Sequence, residues 1–103
     1  MGKQVKVATI AEIPQGSSKI VEVEGEPIAI FNVNGKFYAV HNTCLHRGGP
    51  LGEGFVNDSE VTVECPWHGW VYNLETGEST FNPEFKVRTY NVKVSGSDIL
   101  IEV

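Results

Sequence analysis

Cys44-Leu45-His46 and Cys65-Pro66-Trp67-His68 each place one thiol and one imidazole within a few residues of each other. Together they use both cysteines and two of the three histidines in the chain. Eighteen residues separate His46 from Cys65, so a fold that uses all four donors must bring two distant loops to one point. Two soft thiolates and two borderline imidazoles suit a transition metal. A Zn²⁺ ion in a Cys₂His₂ site takes these four donors, and so does a binuclear iron–sulfur centre with two sulfurs on one iron and two nitrogens on the other. Zinc fingers usually pair their cysteines and then their histidines, whereas each loop here is mixed, which favours the cluster.

Around these loops the chain alternates with a period of two, the pattern of strands with one buried face. Lys3 to Ile10 alternates, with Val5 and Val7 on one side, and Lys19-Ile20-Val21-Glu22-Val23-Glu24 repeats the pattern. Glu26-Pro27 punctuates, and Ile28-Ala29-Ile30-Phe31-Asn32-Val33 reads as a more deeply buried strand. Asn34-Gly35 then precedes Lys36-Phe37-Tyr38-Ala39-Val40, and two residues tolerant of positive φ between strand patterns predict a tight hairpin. Residues 41–57 lose periodicity and are rich in glycine, which predicts a functional loop. Val61-Thr62-Val63-Glu64 leads into Cys65, and Trp70-Val71-Tyr72-Asn73-Leu74 leads out of its loop. Glu75 to Glu78 reads as a turn and Ser79 to Glu84 as a second loop. Val87 to Val94 and Ile99 to Val103 predict a terminal hairpin around Ser95-Gly96-Ser97-Asp98. The helical candidate is a single turn near Thr9 to Ile13, ended by Pro14. Short strands with Gly-, Asn- and Pro-rich turns predict an all-β sandwich or barrel, as a single domain over residues 1–103.

With 41% hydrophobic and 20% charged residues, a chain of this length supplies a modest core. The net charge of −5 and the scattered Lys and Arg argue against nucleic acid and fit a partner with a basic docking face. No apolar run approaches the ~20 residues of a membrane helix. The first residues lack the apolar stretch of a secretory signal, so the expected compartment is the cytoplasm. There, two cysteines each beside a histidine read as metal ligands rather than a disulfide.

Glycine and proline surround both ligand pairs: Gly48-Gly49-Pro50 after the first, Pro66 and Gly69 around the second. Glycine lets the backbone approach a metal centre, and amide donors near its sulfurs help set the potential. His41, three residues before Cys44, reads as a strand-end histidine with a hydrogen-bonding role, since four donors are already supplied. Trp67 and Trp70 read as shields of a core beside the loop. Glu53, Asp58 and Glu60 read as solvated loop charges.

The C-x-H and C-P-W-H-G motifs carry a resemblance that covers essentially all 103 residues: the chain resembles the Rieske-type [2Fe–2S] ferredoxins of ring-hydroxylating oxygenase systems. The resemblance implies an antiparallel β-sandwich or partial barrel with a small cluster-binding lobe, here about residues 41–72. It implies that Cys44 and Cys65 bind one iron, and His46 and His68 the other. Neutral imidazoles leave such a cluster less negative than an all-cysteine one, so it accepts an electron more easily. High-potential, membrane-associated members carry two more cysteines, joined as a disulfide, where this chain has Gly49 and Trp67. They also carry a serine donor where this chain has Trp70, while a tyrosine whose hydroxyl donates to a cysteine sulfur is retained as Tyr72. These departures imply the lower part of the Rieske range of ~ −150 to +300 mV. They point away from quinol oxidation and toward oxygenase-linked transfer.

The implied function is a soluble one-electron carrier with no bond chemistry of its own. A flavin-dependent reductase would reduce it and a terminal oxygenase acting on an aromatic substrate would oxidise it. Both would dock transiently on a monomeric chain, at a tip formed by His46 and His68 and framed by Arg47, Leu51 and Pro66. A second reading is a Rieske-like small subunit of a larger oxidoreductase such as assimilatory nitrite reductase. A third is a zinc-binding structural module. Colour and the low-average-g EPR signal of the reduced protein separate iron from zinc, and gel filtration separates carrier from subunit.

Overall fold

The computed structural model describes residues 3–42, 50–67, 69–82 and 84–102, and over them the period-two segments become antiparallel strands. In chain order these are β1 (Gln4–Thr9), β2 (Ser18–Val23), β3 (Glu26–Val33), β4 (Lys36–His41), β5 (Phe55–Asn57), β6 (Thr62–Glu64), β7 (Val71–Asn73), β8 (Thr89–Tyr90), β9 (Val92–Ser95) and β10 (Asp98–Glu102). They form sheets ordered β1-β10-β9, β2-β3-β4-β8 and β5-β6-β7. This is the all-β antiparallel architecture expected from the sequence.

The near-continuous apolar run of β3 has a physical cause: both faces of this strand are buried. Ile28 and Ile30 face a core shared with Ala8, Ile13, Val23, Ala39, Ile99 and Ile101, which joins the first sheet to the second. Ala29, Phe31 and Val33 face a second core with Leu51, Val63, Cys65, Tyr72 and Leu74, which joins the second sheet to the third. At roughly 1.5–3 kcal/mol per buried large apolar side chain, Ile28, Ile30 and Phe31 contribute to both junctions from one strand. Asn32 is the polar residue in this run. Its side-chain Nδ2 donates to Ile13 O at 2.8 Å and its Oδ1 accepts the Gly35 N–H at 3.1 Å, so both polar atoms of the buried amide are hydrogen-bonded.

The turns account for most departures from the expected pattern. Asn34 and Gly35 have φ of 56° and 84°, as a two-residue hairpin of this twist requires. Glu24 and Gly25 have φ of 53° and 83°, so the β2–β3 turn is the same kind. Glu26 and Pro27, expected to punctuate, instead begin β3, where Pro27 pairs with Glu22. The expected strand from Val87 to Val94 divides at Asn91: β8 pairs with β4, and β9 pairs with β10 in another sheet. Phe55–Asn57, within the stretch expected as loop, pairs with β6.

The helical turn expected near Thr9 to Ile13 is Ile10–Glu12, capped by Thr9. The Thr9 N–H and hydroxyl donate to the Glu12 carboxylate at 2.9 and 3.0 Å, and Lys19 ion-pairs with it. The Lys19 bond first, then the Thr9 donors, hold the Glu12 pKa down at about 2. A carboxyl lowered in the folded state stabilises above its ordinary value and loses that contribution as the pH falls through the folded one. The stability gap between wild type and Glu12→Gln is therefore expected to be constant above pH 4.5 and to close between 4.5 and about 2. Urea midpoints measured across that window check this, and a gap that stays constant through it refutes the assignment.

Candidate metal centre

Two strands that lie side by side define the base of the metal-centre region. In β4 and β8, Ala39 pairs with Tyr90 and Val40 with Thr89, and the His41 N–H donates to Arg88 O at 2.8 Å. The chain thus leaves the second sheet at His41 and rejoins it at Arg88. Between these points lies the β5-β6-β7 sheet, continued by the bridges Tyr72–Ser79 and Glu78–Lys86.

Cys65 owes its position to strand alternation. In β6 Val63 points inward and Glu64 outward, so the next residue points inward again. Cys65 is 1% exposed and packs among Leu51, Val63, Tyr72 and Leu74. Its N–H donates to Trp70 O at 2.7 Å, and the Gly69 N–H donates to Cys65 O at 3.1 Å, which closes the turn. Gly69 has φ of +77°, a left-handed backbone that explains a glycine after the second histidine. Cys44, His46 and His68 lie outside the described residues, as does Arg47.

The aromatic residues of this loop divide. Trp70 is half-buried against the second core and shields it as expected, its ring 4.8 Å from Phe81, 5.3 Å from Phe85 and 6.4 Å from Tyr72 between centroids. Trp67 is 63% exposed, where a shield of the core was expected. Tyr72 is fully buried in the same core as Cys65. Leu51, expected to frame a docking tip, is also fully buried. It opens a 3₁₀ turn, Leu51–Glu53, that presses it beneath β3.

At the other loop, His41 ends β4 and its Nε2 lies 2.8 Å from Glu26 Oε2, in keeping with a hydrogen-bonding role. The next residue, Asn42, was missed by sequence reasoning. Its N–H donates to Pro27 O at 2.9 Å, its carbonyl accepts the Leu51 N–H at 2.7 Å and its Oδ1 accepts the Gly52 N–H at 2.7 Å. An Asn between a strand and a glycine-rich loop was the available signal, since such side chains commonly bond nearby backbone. Glu53, Asp58 and Glu60 are exposed, as solvated charges should be.

The residues fit an iron–sulfur centre. Cys65 offers a buried sulfur with apolar walls, on a turn held by its own backbone, and the sequence supplies one more thiolate and two imidazoles.

Comparison with known proteins agrees. The sequence profile of the Rieske [2Fe–2S] domain matches residues 3–94. The chain is 36% identical, over 97% of its length and 93% of the relative's, to the 3-phenylpropionate/cinnamic acid dioxygenase ferredoxin subunit of Shigella boydii serotype 4 (strain Sb227). Its structure is similar to the ferredoxin of carbazole 1,9a-dioxygenase from Nocardioides aromaticivorans IC177, with a TM-score of 0.89, 29% identity and 96% of each chain covered. It is also similar to a chain of a complex of reduced oxygenase and oxidised ferredoxin in carbazole 1,9a-dioxygenase, with a TM-score of 0.85, 28% identity and 95% and 91% of the two chains covered.

Proposed function

The chain belongs to the Rieske [2Fe–2S] domain family, and from that premise we propose a one-electron carrier that receives electrons from a flavin-dependent reductase and delivers them to a terminal oxygenase. The observation that carries the reading is the mixed C-x-H and C-x-x-H pair, with Cys65 buried at the end of β6 on the turn that Gly69 closes. In this reading Cys44 and Cys65 hold one iron, and His46 and His68 hold the other. When bound, a [2Fe–2S] cluster supplies a one-electron couple. The chain's residues set its surroundings. Leu51, Val63 and Leu74 keep water from the Cys65 side and Trp70 covers the second core. By the family resemblance, the Tyr72 hydroxyl would donate to a cysteine sulfur. With Trp70 in place of a serine donor, the potential falls in the lower part of the ~ −150 to +300 mV range.

Partners dock at the His46 and His68 tip, beside half-buried Pro66 and exposed Trp67, which replaces Leu51 in the frame. An exposed tryptophan at such a tip is a natural anchor, and the net charge of −5 steers the chain to a basic face. The chain acts as a monomer in the cytoplasm, in small transient complexes of the kind electron carriers form. Among the described residues no helix is long and apolar enough to cross a membrane.

The test combines the purified chain with the reductase and oxygenase of a 3-phenylpropionate/cinnamic acid dioxygenase system. The reductase, supplied with NADH, is expected to bleach the chain's visible absorbance, and product formation is expected to require the chain. A chain that the reductase leaves oxidised, or that elutes only in a stable large complex, refutes the carrier reading.

A further inference from the structure

We propose that Asn42 is a positioning residue that latches the loop carrying Cys44 and His46, and so governs how firmly the metal centre is held and at what potential it works. The proposal rests on the assignment of those two residues as ligands. Asn42 stands at the entry of that loop, and Leu51 and Gly52 stand at its exit. The carbonyl of Asn42 accepts the Leu51 N–H and its Oδ1 accepts the Gly52 N–H, each at 2.7 Å. One residue thus ties entry to exit through both its main chain and its side chain. The Asn42 N–H, bonded to Pro27 O at 2.9 Å, fastens the pair to β3.

The exit is gripped from a second side. Ser18, on β2, donates through Oγ to Gly52 O at 2.6 Å, so both polar groups of Gly52 are held by side chains. A side chain at Gly52 would place its Cβ 2.3 Å from Ile20 Cγ1 and 2.9 Å from Asn42 Oδ1, so the close approach requires glycine. Leu51, with no exposed surface, anchors the same point in the second core.

The two ligand loops therefore differ in how far side chains share in closing them. The Cys65 turn is closed by main-chain bonds between Cys65 and Trp70 and between Gly69 and Cys65, which survive most substitutions. The exit of the first loop has one main-chain bond, from the Leu51 N–H to Asn42 O, and the side chains of Asn42 and Ser18 hold the rest. Loss of Oδ1 leaves a half-buried N–H unmet, which favours local opening at the first loop rather than unfolding of the whole chain.

The test uses the iron-loaded chain with Asn42→Leu, which keeps the side-chain shape without the acceptor, and Asn42→Asp, which keeps the acceptor. Asn42→Leu is expected to lose iron to EDTA roughly tenfold faster than wild type. Its midpoint potential is also expected to shift and its EPR g-values to spread, while Asn42→Asp stays close to wild type in iron release and g-values. Ser18→Ala is expected to accelerate iron loss in the same direction, and it carries the test from β2 if Asn42→Leu does not fold. An Asn42→Leu chain with wild-type iron release, potential and g-values overturns the latch, as does an Asn42→Asp chain as impaired as Asn42→Leu. A wild-type chain that binds no iron instead fails the ligand assignment itself.

Discussion

Cys65→Ala is expected to give a colourless chain without bound iron and without the low-average-g EPR signal on reduction. The substitution removes one of only two cysteine sulfurs in the sequence. A Rieske centre needs both, because one iron is held by cysteine alone. The packing loss is small by comparison. Cys65 lies among Leu51, Val63, Tyr72 and Leu74, and alanine there removes a single sulfur atom from the second core. The core between the first two sheets, built on Ile28, Ile30, Ile99 and Ile101, does not include Cys65. The far-UV spectrum should therefore keep its β character while the lobe loses the energy that metal binding adds to folding. Visible absorbance, iron analysis and EPR on one preparation decide the matter. Wild-type absorbance in the Cys65→Ala protein would remove Cys65 from the ligand set.

Among the described glycines, the largest expected loss of stability from a single methyl group is at Gly77. Gly77→Ala would place its Cβ 2.2 Å from Val87 O and 3.0 Å from Thr89 Cγ2. The nearest atom is backbone, so no rotamer change relieves the overlap. That backbone is also engaged, since the Val87 N–H donates to Gly77 O at 2.9 Å and the Gly77 N–H donates to Asn73 O at 2.7 Å. Gly77 has φ of +81° as well, which adds about 1 kcal/mol for any side chain. With about 1–3 kcal/mol for overpacking, the expected cost is about 3 kcal/mol. For a domain of this size that lowers Tm by roughly 10–20 °C. Gly35→Ala separates the two causes, since Gly35 has φ of +84° but nothing within 4 Å of the added Cβ. It should cost only the backbone share, about 1 kcal/mol. Equal Tm losses in the two variants would show that the contact with Val87 carries no weight.

How legible a segment was depended on whether its cause was local. The Asn34-Gly35 hairpin, the period-two strands and the turn before Pro14 rest on short-range preferences and formed as expected. The Glu24-Gly25 turn was hidden because glutamate seldom takes positive φ, which drew the punctuation to Pro27 instead. The division at Asn91 left no mark in the alternation, because the same pattern serves whichever sheet each half joins. β5 holds three residues beside glycine, and its strand character comes from pairing with β6. At the proposed metal centre, Cys44, His46, Cys65 and His68 are the donors that the motifs offer, and the depth of Cys65, the one of them among the described residues, follows from the strand before it. Whether a neighbouring side chain faces in or out was not legible. Leu51 went to the core and Trp67 to the surface, because each direction is set by a turn whose form only tertiary packing determines.

The chain leaves the second sheet at His41 and returns beside it at Arg88. Because exit and return are hydrogen-bonded neighbours, the intervening stretch behaves as a cartridge seated in a socket. Its proposed ligands, its aromatic cover and the proposed docking tip are encoded in one uninterrupted piece of gene, while β1 to β4 and β8 to β10 keep their pairing around it. A redox centre built this way can be retuned or transplanted by exchanging that one piece, with the requirement that the replacement present matching groups at the two rims. Asn42, bonded to Pro27, and Gly52, bonded to Ser18, are the contacts such a graft has to reproduce.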